Sequence, residues 1–185
     1  MDALVYKKRR LALIQQMGQG VAIIPSHKEV ARNADTHYPY RFDSDFYYLT
    51  GFSEPDAVLV LIAGAQPQSI LFCRDKVPER EIWEGFHYGP MAAQAVFGFD
   101  AAYTLDNLDA QLPDLLSNQP CVYYAIGANM AWDRRILSAL NKVRGKARAG
   151  IQAPDSTKDI RQPLHEMRLI KDAHEIALMQ QAANI

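Results

Sequence analysis

The sequence predicts an α/β domain, a mixed β-sheet flanked by helices. Three observations carry that prediction. Short apolar runs bounded by glycine, proline and turn residues recur at Val21–Ile24, Ala57–Ile62, Ser69–Cys73 and Cys121–Ala125, as strands do. Around them stand stretches with apolar residues three and four apart, the period of a helix. The connections are short, so strands and helices interleave into layers.

Each element follows from its local pattern. Leu4, Leu11, Leu13, Ile14 and Met17 recur at helical spacing while Lys7-Lys8-Arg9-Arg10 faces elsewhere, and Gly18-Gln19-Gly20 stops this first helix. Val21-Ala22-Ile23-Ile24-Pro25 reads as a buried strand ended by proline. Ser26 to Asp45 is polar and rich in tyrosine, and Phe46-Tyr47-Tyr48-Leu49-Thr50-Gly51 reads as a strand with a glycine stop. After a turn at Ser53-Glu54-Pro55-Asp56, the run from Ala57 is too continuously apolar for a strand with one wet face. Beyond a second turn, Ser69–Cys73 is expected to pair with it as a central hairpin. A short helix at Ala92–Phe97, a strand at Ala102–Thr104, a helix at Leu108–Leu116, a strand from Cys121 and a longer helix at Met130–Val143 follow. The stripe Leu169, Ile170, Ala173, Ile176, Ala177 and Ala183 predicts one last helix, running uncapped to Ile185. It is expected to be a linking helix cut partway, with residues 1–165 as the domain and 166–185 as the start of the linker.

With 185 residues the chain suits one domain, since about 150 residues per domain is usual. Hydrophobic residues make up 49%, which excludes wholesale disorder. Twenty Lys and Arg against 21 Asp and Glu give a net charge of −1, a poor match to nucleic-acid backbone or anionic membrane. No apolar run approaches the roughly 20 residues of a membrane span, and the start of the chain lacks the apolar core of a signal peptide. Two cysteines are too few for a disulfide scaffold or a structural zinc site. A soluble, cytoplasmic protein is expected.

The chain offers little recognisable catalytic machinery. His165-Glu166 opens a zinc-helix pattern, but Leu169 stands where a second imidazole belongs. His27, His37, His87 and His174 stand alone. Asp35 with His37, and Asp43 with Asp45, could each share a strand face, but two ligands make no site. Cys73 and Cys121 sit in apolar strand patterns, as buried small residues do. Gly18-Gln19-Gly20 precedes a strand instead of following one, so it is no dinucleotide fingerprint. The bases from Arg134 to Arg148 read as a solvated helix face rather than a nucleic-acid patch.

Two segments stand out. Arg32 to Asp45 packs charge, amide and phenol into fourteen residues, a composition costly to order unless the groups pair. Glu79 to Pro90 places Trp83, Phe86, His87 and Tyr88 among glycines and a proline, the makeup of a protruding loop able to bury a partner's surface. Trp83 reads equally well as a half-buried core residue.

These residues carry a resemblance. Arg32-Asn33-Ala34-Asp35-Thr36-His37-Tyr38-Pro39-Tyr40-Arg41, the block Ser44-Asp45-Phe46-Tyr47-Tyr48-Leu49-Thr50-Gly51-Phe52, Glu81-Ile82-Trp83-Glu84-Gly85 and Arg161-Gln162-Pro163-Leu164-His165-Glu166 together resemble the N-terminal domain of bacterial Xaa-Pro aminopeptidase (aminopeptidase P). The resemblance implies a creatinase-type, ribonuclease-H-like N-domain. It also implies a separate pita-bread catalytic domain holding two manganese ions with Asp, Asp, His, Glu and Glu ligands, none of them in this chain. By the same resemblance Trp83 matches a tryptophan that borders substrate in a neighbouring subunit. Asp35 and Arg148 match polar positions near the subunit boundary and substrate channel. The implied parent is a metal-dependent hydrolase that removes the first residue from peptides with proline second, assembled as a tetramer or dimer. The N-domain alone would be inactive and would restrict access. The Phe86-His87-Tyr88 stretch departs from relatives with a more basic loop. Rival readings are a non-catalytic module of the same superfamily, which binds peptides or histones, a prolidase or creatinase N-domain, and, remotely, a nuclease.

Overall fold

The computed structural model describes residues 3–185, apart from the side chains of Arg80 and Glu84. Met1 and Asp2, which open the N-terminal run read above, lie outside the described residues. Strand β1 (Gly20–Pro25) runs antiparallel to β4 (Val58–Ala63) and parallel to β7 (Cys121–Tyr124). Beyond β4 lies β5 (Gln68–Cys73), antiparallel, and the sheet edges are β6 (Ala101–Thr104) and β8 (Ser156–Asp159), each parallel to its neighbour. The six-strand order is β6-β5-β4-β1-β7-β8; β2 (Ala31–Asn33) and β3 (Thr36–His37) form a separate hairpin. The mixed sheet and the β4–β5 hairpin beside its centre are as the sequence predicts.

The side-chain period of two explains why the central strands are apolar at every position. Val21, Ile23, Val58 and Val60 enter one core with α5 (Leu108–Leu116) and α6 (Met130–Arg144). Ala22, Ile24, Leu59 and Leu61 enter the other. There they meet α1 (Ala3–Met17), α2 (Ser44–Thr50), α4 (Gly89–Phe97) and α7 (Arg161–Leu169). Both faces are covered, so neither half of the alternation can be polar. The basic residues of α6 lie mostly in solvent, where Arg135 pairs with Asp109 and Lys146, just past the helix, with Asp114 of α5.

Three sequence expectations about these elements are overturned. Arg9 and Arg10, read as facing away from the apolar stripe of α1, are buried, while Leu4 and Leu11 of that stripe are exposed. Phe46–Gly51 is no strand: it lies in α2, because Asp43 N-caps the helix with its carboxylate accepting the Phe46 N–H at 2.7 Å. Gly51 closes it in the left-handed conformation, where a Cβ would sit 2.5 Å from the Tyr6 ring, so only glycine fits. Local capping outweighs the strand preference of the Phe-Tyr-Tyr triplet. Nor is the terminal stripe one helix. α7 ends at Leu169, Ile170 to Asp172 are non-helical, and α8 (Ala173–Ala183) restarts on a capping box between Asp172 and Glu175. Asn184 caps α8, whose residues include no buried side chain. The expected division at 165/166 falls inside α7.

The helical layer is tied together by two arginines of α1. Arg10, 1% exposed, donates to the carbonyls of Leu49, Phe97 and Gly98, and its guanidinium lies 4.4 Å from the centre of the Phe99 ring. Those carbonyls are the C-terminal ends of α2 and α4, groups that have no partner within their own helices. Burial pulls the guanidinium down to about 10, partly offset by Asp100, so it stays charged at neutral pH. Arg9 similarly binds the Tyr48 carbonyl and Asp172, tying the cap of α8 to α1.

Arg10→Met should destabilise the fold by about 3–5 kcal/mol, because it strands three carbonyls without their cation; urea unfolding at neutral pH measures it. Alkaline pH should act through Cys73. Burial, reinforced by Glu54 and Asp75, pushes its thiol from 9.0 to about 12. The unfolded thiol therefore ionises first, and stability falls as pH rises from about 9 toward 12. Tyr6, raised to about 12 chiefly by burial, adds to the loss above about 10. Between about pH 8 and 10, Cys73→Ala should lose about 1 kcal/mol less stability than the parent chain.

Candidate functional site

The strand registers bring the unusual segments to one end of the sheet. Pro25 pairs with Val58, Val58 with Phe72, Cys73 with Thr104 and Tyr124 with Asp159. The chain leaves β1, β5, β7 and β8 at this same end, the side on which open α/β sheets place their sites. A strap (residues 26–45) follows β1 here, and an arm (residues 74–88) follows β5.

The arm is built around α3 (Pro78–Glu84). Trp83 is 88% exposed, with Ile82, Phe86 and Met91 also largely in solvent. Four large apolar residues exposed within ten positions are the kind of surface that marks an interaction site. The base of the arm is firmly held. Tyr88 N donates to Glu54 Oε1 at 2.8 Å, and His87 N to Glu81 Oε1 at 3.1 Å. That His87 amide, with Lys76, holds the Glu81 carboxyl below the usual range. Glu54 Oε2 lies 3.5 Å from His87 Nδ1, and both side chains are buried. Rings of Phe86, Tyr88, Phe97 and Phe52 contact one another in sequence from the arm into the core. Gly89 permits the turn into α4: it has a φ of +68°, and a Cβ there would lie 2.8 Å from Lys76 Cβ.

The strap carries the β2–β3 hairpin, exposed throughout, and closes back on its own start. Tyr40 shares its hydroxyl proton between the carbonyls of His27 (3.2 Å) and Glu54 (3.4 Å). Asp43, besides capping α2, lies 3.3 Å from His27 Nε2. Asp45 binds Arg168 of α7 and lies 3.6 Å from His165. Arg74 joins Glu29 of the strap to Asp56. Glu54 is thus the junction: its carbonyl takes the strap and its carboxylate takes the arm. Beneath the strap, between the first turn of α6 and α7, lies a cleft of about 930 Å3.

Of the residues singled out in the sequence, Trp83 and Asp35 both lie at this end, Asp35 in the exposed turn between β2 and β3. Arg148 does not join them. It is exposed in a short helix, Ala147–Ala149, beyond the far end of α6, where Asn118 N bonds Gln152 O beside the start of β7. The three residues form no single site within one chain. The reading of Trp83 as a half-buried core residue is overturned by its exposure, and most of the expected loop is helix, because Pro78 starts α3 and Gly85 ends it. Asp43 and Asp45 share no strand face, since they are the cap and first turn of α2; Asp35 is in a turn and not on the strand of His37. Glu54 and the cleft were not foreseen. In the sequence Glu54 is one polar residue in a turn, and its role depends on Tyr40 and Tyr88, which only the fold brings to it. Among the described residues no group of three or more His, Cys, Asp and Glu side chains could hold a metal ion.

The family profile described as "Aminopeptidase P, N-terminal domain" matches residues 6–123. The chain belongs to that family. This aminopeptidase P N-terminal domain is 42% identical to the Xaa-Pro aminopeptidase of Escherichia coli (strain K12), over 97% of this chain and 42% of that protein. It is 30% identical to human Xaa-Pro aminopeptidase 3, over 97% of this chain and 37% of the relative. The fold superposes on the E. coli aminopeptidase P low-pH form with a TM-score of 0.95 and 41% identity, covering all of this chain and 43% of that one. Proline aminopeptidase P II from Yersinia pestis gives 0.94, also at 41% identity, covering all of this chain and 42% of that one. The chain therefore spans about 42% of the length of its E. coli relative.

If Glu54 is the junction, Glu54→Ala should cost about 2–3 kcal/mol by leaving the Tyr88 N–H without its acceptor. Glu54→Gln, which keeps an acceptor, should cost less. In a Trp132→Phe background, Trp83 becomes the only tryptophan, and Glu54→Ala should lower its fluorescence anisotropy while far-ultraviolet dichroism stays unchanged.

Proposed function

We propose that this chain is the substrate-access and oligomerisation domain of a cytoplasmic Xaa-Pro aminopeptidase, which removes the first residue from peptides with proline second. The observation that carries this reading is the arm: Ile82, Trp83, Phe86 and, just beyond it, Met91 are all largely exposed among the described residues, on a base fixed by Glu54. An apolar group held out on an ordered support is suited to entering another subunit. In this reading Trp83 borders the substrate in a neighbouring subunit, Asp35 lines the approach on the same side, and Arg148 serves a boundary at the far end of the sheet. Residues so dispersed can meet one substrate only through assembly, as a homotetramer or homodimer.

The two manganese ions that such a hydrolase uses would supply the attacking hydroxide. The described residues do not fit them, since no cluster of ligands exists here. What this chain contributes is confinement. Bulky rings at the mouth of a site exclude folded or blocked chains and admit a free peptide end. The metals and their ligands belong to a catalytic portion outside these residues.

Trp83→Ala in the full-length enzyme should lower kcat/KM for short Xaa-Pro peptides at least about tenfold, with the melting temperature unchanged, because the side chain is 88% exposed in its own subunit. The 185-residue chain, supplied with manganese and an Xaa-Pro peptide, should give no turnover above a chelator control. Unchanged kinetics in the first case, or turnover in the second, would contradict this function.

A further inference from the structure

The cleft beneath the strap is a second surface, separate from the Trp83 arm. Pro25, Pro39, Tyr38, Trp132 and Leu164 contribute rings and apolar side chains to its walls. Trp132 is half-buried, and Arg135 lies 5.0 Å from its ring centre on the helix behind it, which steadies the indole. The volume, about 930 Å3, is near the top of the roughly 300–1,000 Å3 range of ligand clefts.

The acids and the bases around the cleft are not equally engaged. Its acids are already engaged: Glu29 with Arg74, Asp43 with His27 and the α2 cap, Asp45 with Arg168. Arg161 is likewise held by Asp159 and the Ile126 carbonyl. Lys28 and Arg41, both exposed on the strap, enter no ion pair among the described residues. Arg41 only stacks on Phe42, 4.7 Å from the ring centre. The N-terminus of α6 also faces this region, but Asn129 Oδ1 already accepts the N–H groups of Ala131 and Trp132. The attraction for an anion therefore resides in the two strap cations.

We propose that this cleft binds a short extended peptide through its C-terminal carboxylate. Lys28 and Arg41 hold the carboxylate, and the rings of Trp132 and Tyr38 pack against proline or aliphatic residues. Proline-containing segments suit such walls because they are already extended and lose little conformational entropy on docking. This deepens the reading of the chain as a gate for peptides and rests on that reading only for the source of the peptide. A second copy of the chain is the competing occupant.

The test uses the chain as it stands. An acetylated pentapeptide of alternating proline and leucine, with a free C-terminal carboxylate, is titrated by calorimetry. Saturable binding is expected, weakened about tenfold when the C-terminus is amidated. Lys28→Ala with Arg41→Ala should weaken the acid form to the level of the amide, and Trp132→Ala should weaken both. No saturable heat at millimolar peptide, equal affinity of acid and amide, or indifference to Trp132→Ala would overturn the proposal. So would self-association in sedimentation that the same substitutions abolish, since it would give the cleft to a second copy. The blocked amino end cannot be trimmed by an aminopeptidase, so a failure here leaves the access role of Trp83 to its own kinetic test.

Discussion

The guanidinium of Arg10 is the constraint on which this structure turns. Helices α2 and α4 both end inside the protein, and their last carbonyls need donors that water cannot reach. Arg10 supplies them from α1 with no carboxylate among its hydrogen-bond partners, so the negative ends of two helices take the part a counter-ion would play. Lysine has the charge but not the fork; the planar geometry lets one side chain hold two helix ends at once. The reach is long. The opposite ends of the same helices are Asp43, where the strap closes, and Gly89, where the arm ends. One buried cation therefore joins the helix that leaves the strap to the helix that leaves the arm.

That arrangement explains how an exposed tryptophan can be held in place. An apolar residue in solvent gains nothing for its own fold. It is useful only when held in place before its partner arrives, since ordering it afterward would consume binding energy. Glu54 provides the holding locally, and Arg10 provides it at the scale of the helical layer. The cleft beneath the strap shares the same support, because Asp43 and Asp45 fix one wall through α2 and α7.

Much of the fold is legible in the sequence because burial on both faces makes β1 and β4 continuously apolar. What was not legible depended on single side chains acting at a distance. Phe46–Gly51 looks like a strand until Asp43 is recognised as a cap, and the terminal stripe looks unbroken until Asp172 and Glu175 box a new start. The site divides the same way. Trp83 stands out as an aromatic among glycines, but periodicity gives no hint of its exposure. Glu54 carries no sequence signal, because its partners lie 14 and 34 residues away. Arg148 matches a position in the family resemblance, but the fold sets it at the other end of the sheet from Trp83 and Asp35.

The most direct test of the central claim is amide hydrogen exchange in the Arg10→Lys chain, which keeps the charge and loses the fork. If Arg10 sets the strap and the arm together, the Phe46 and Tyr88 amides, each near the far end of its helix, should both lose protection by a similar factor. Ile23 in the sheet should change much less. Loss confined to residues beside Leu49 and Phe97, with Phe46 and Tyr88 unchanged, would show that Arg10 secures only its own surroundings.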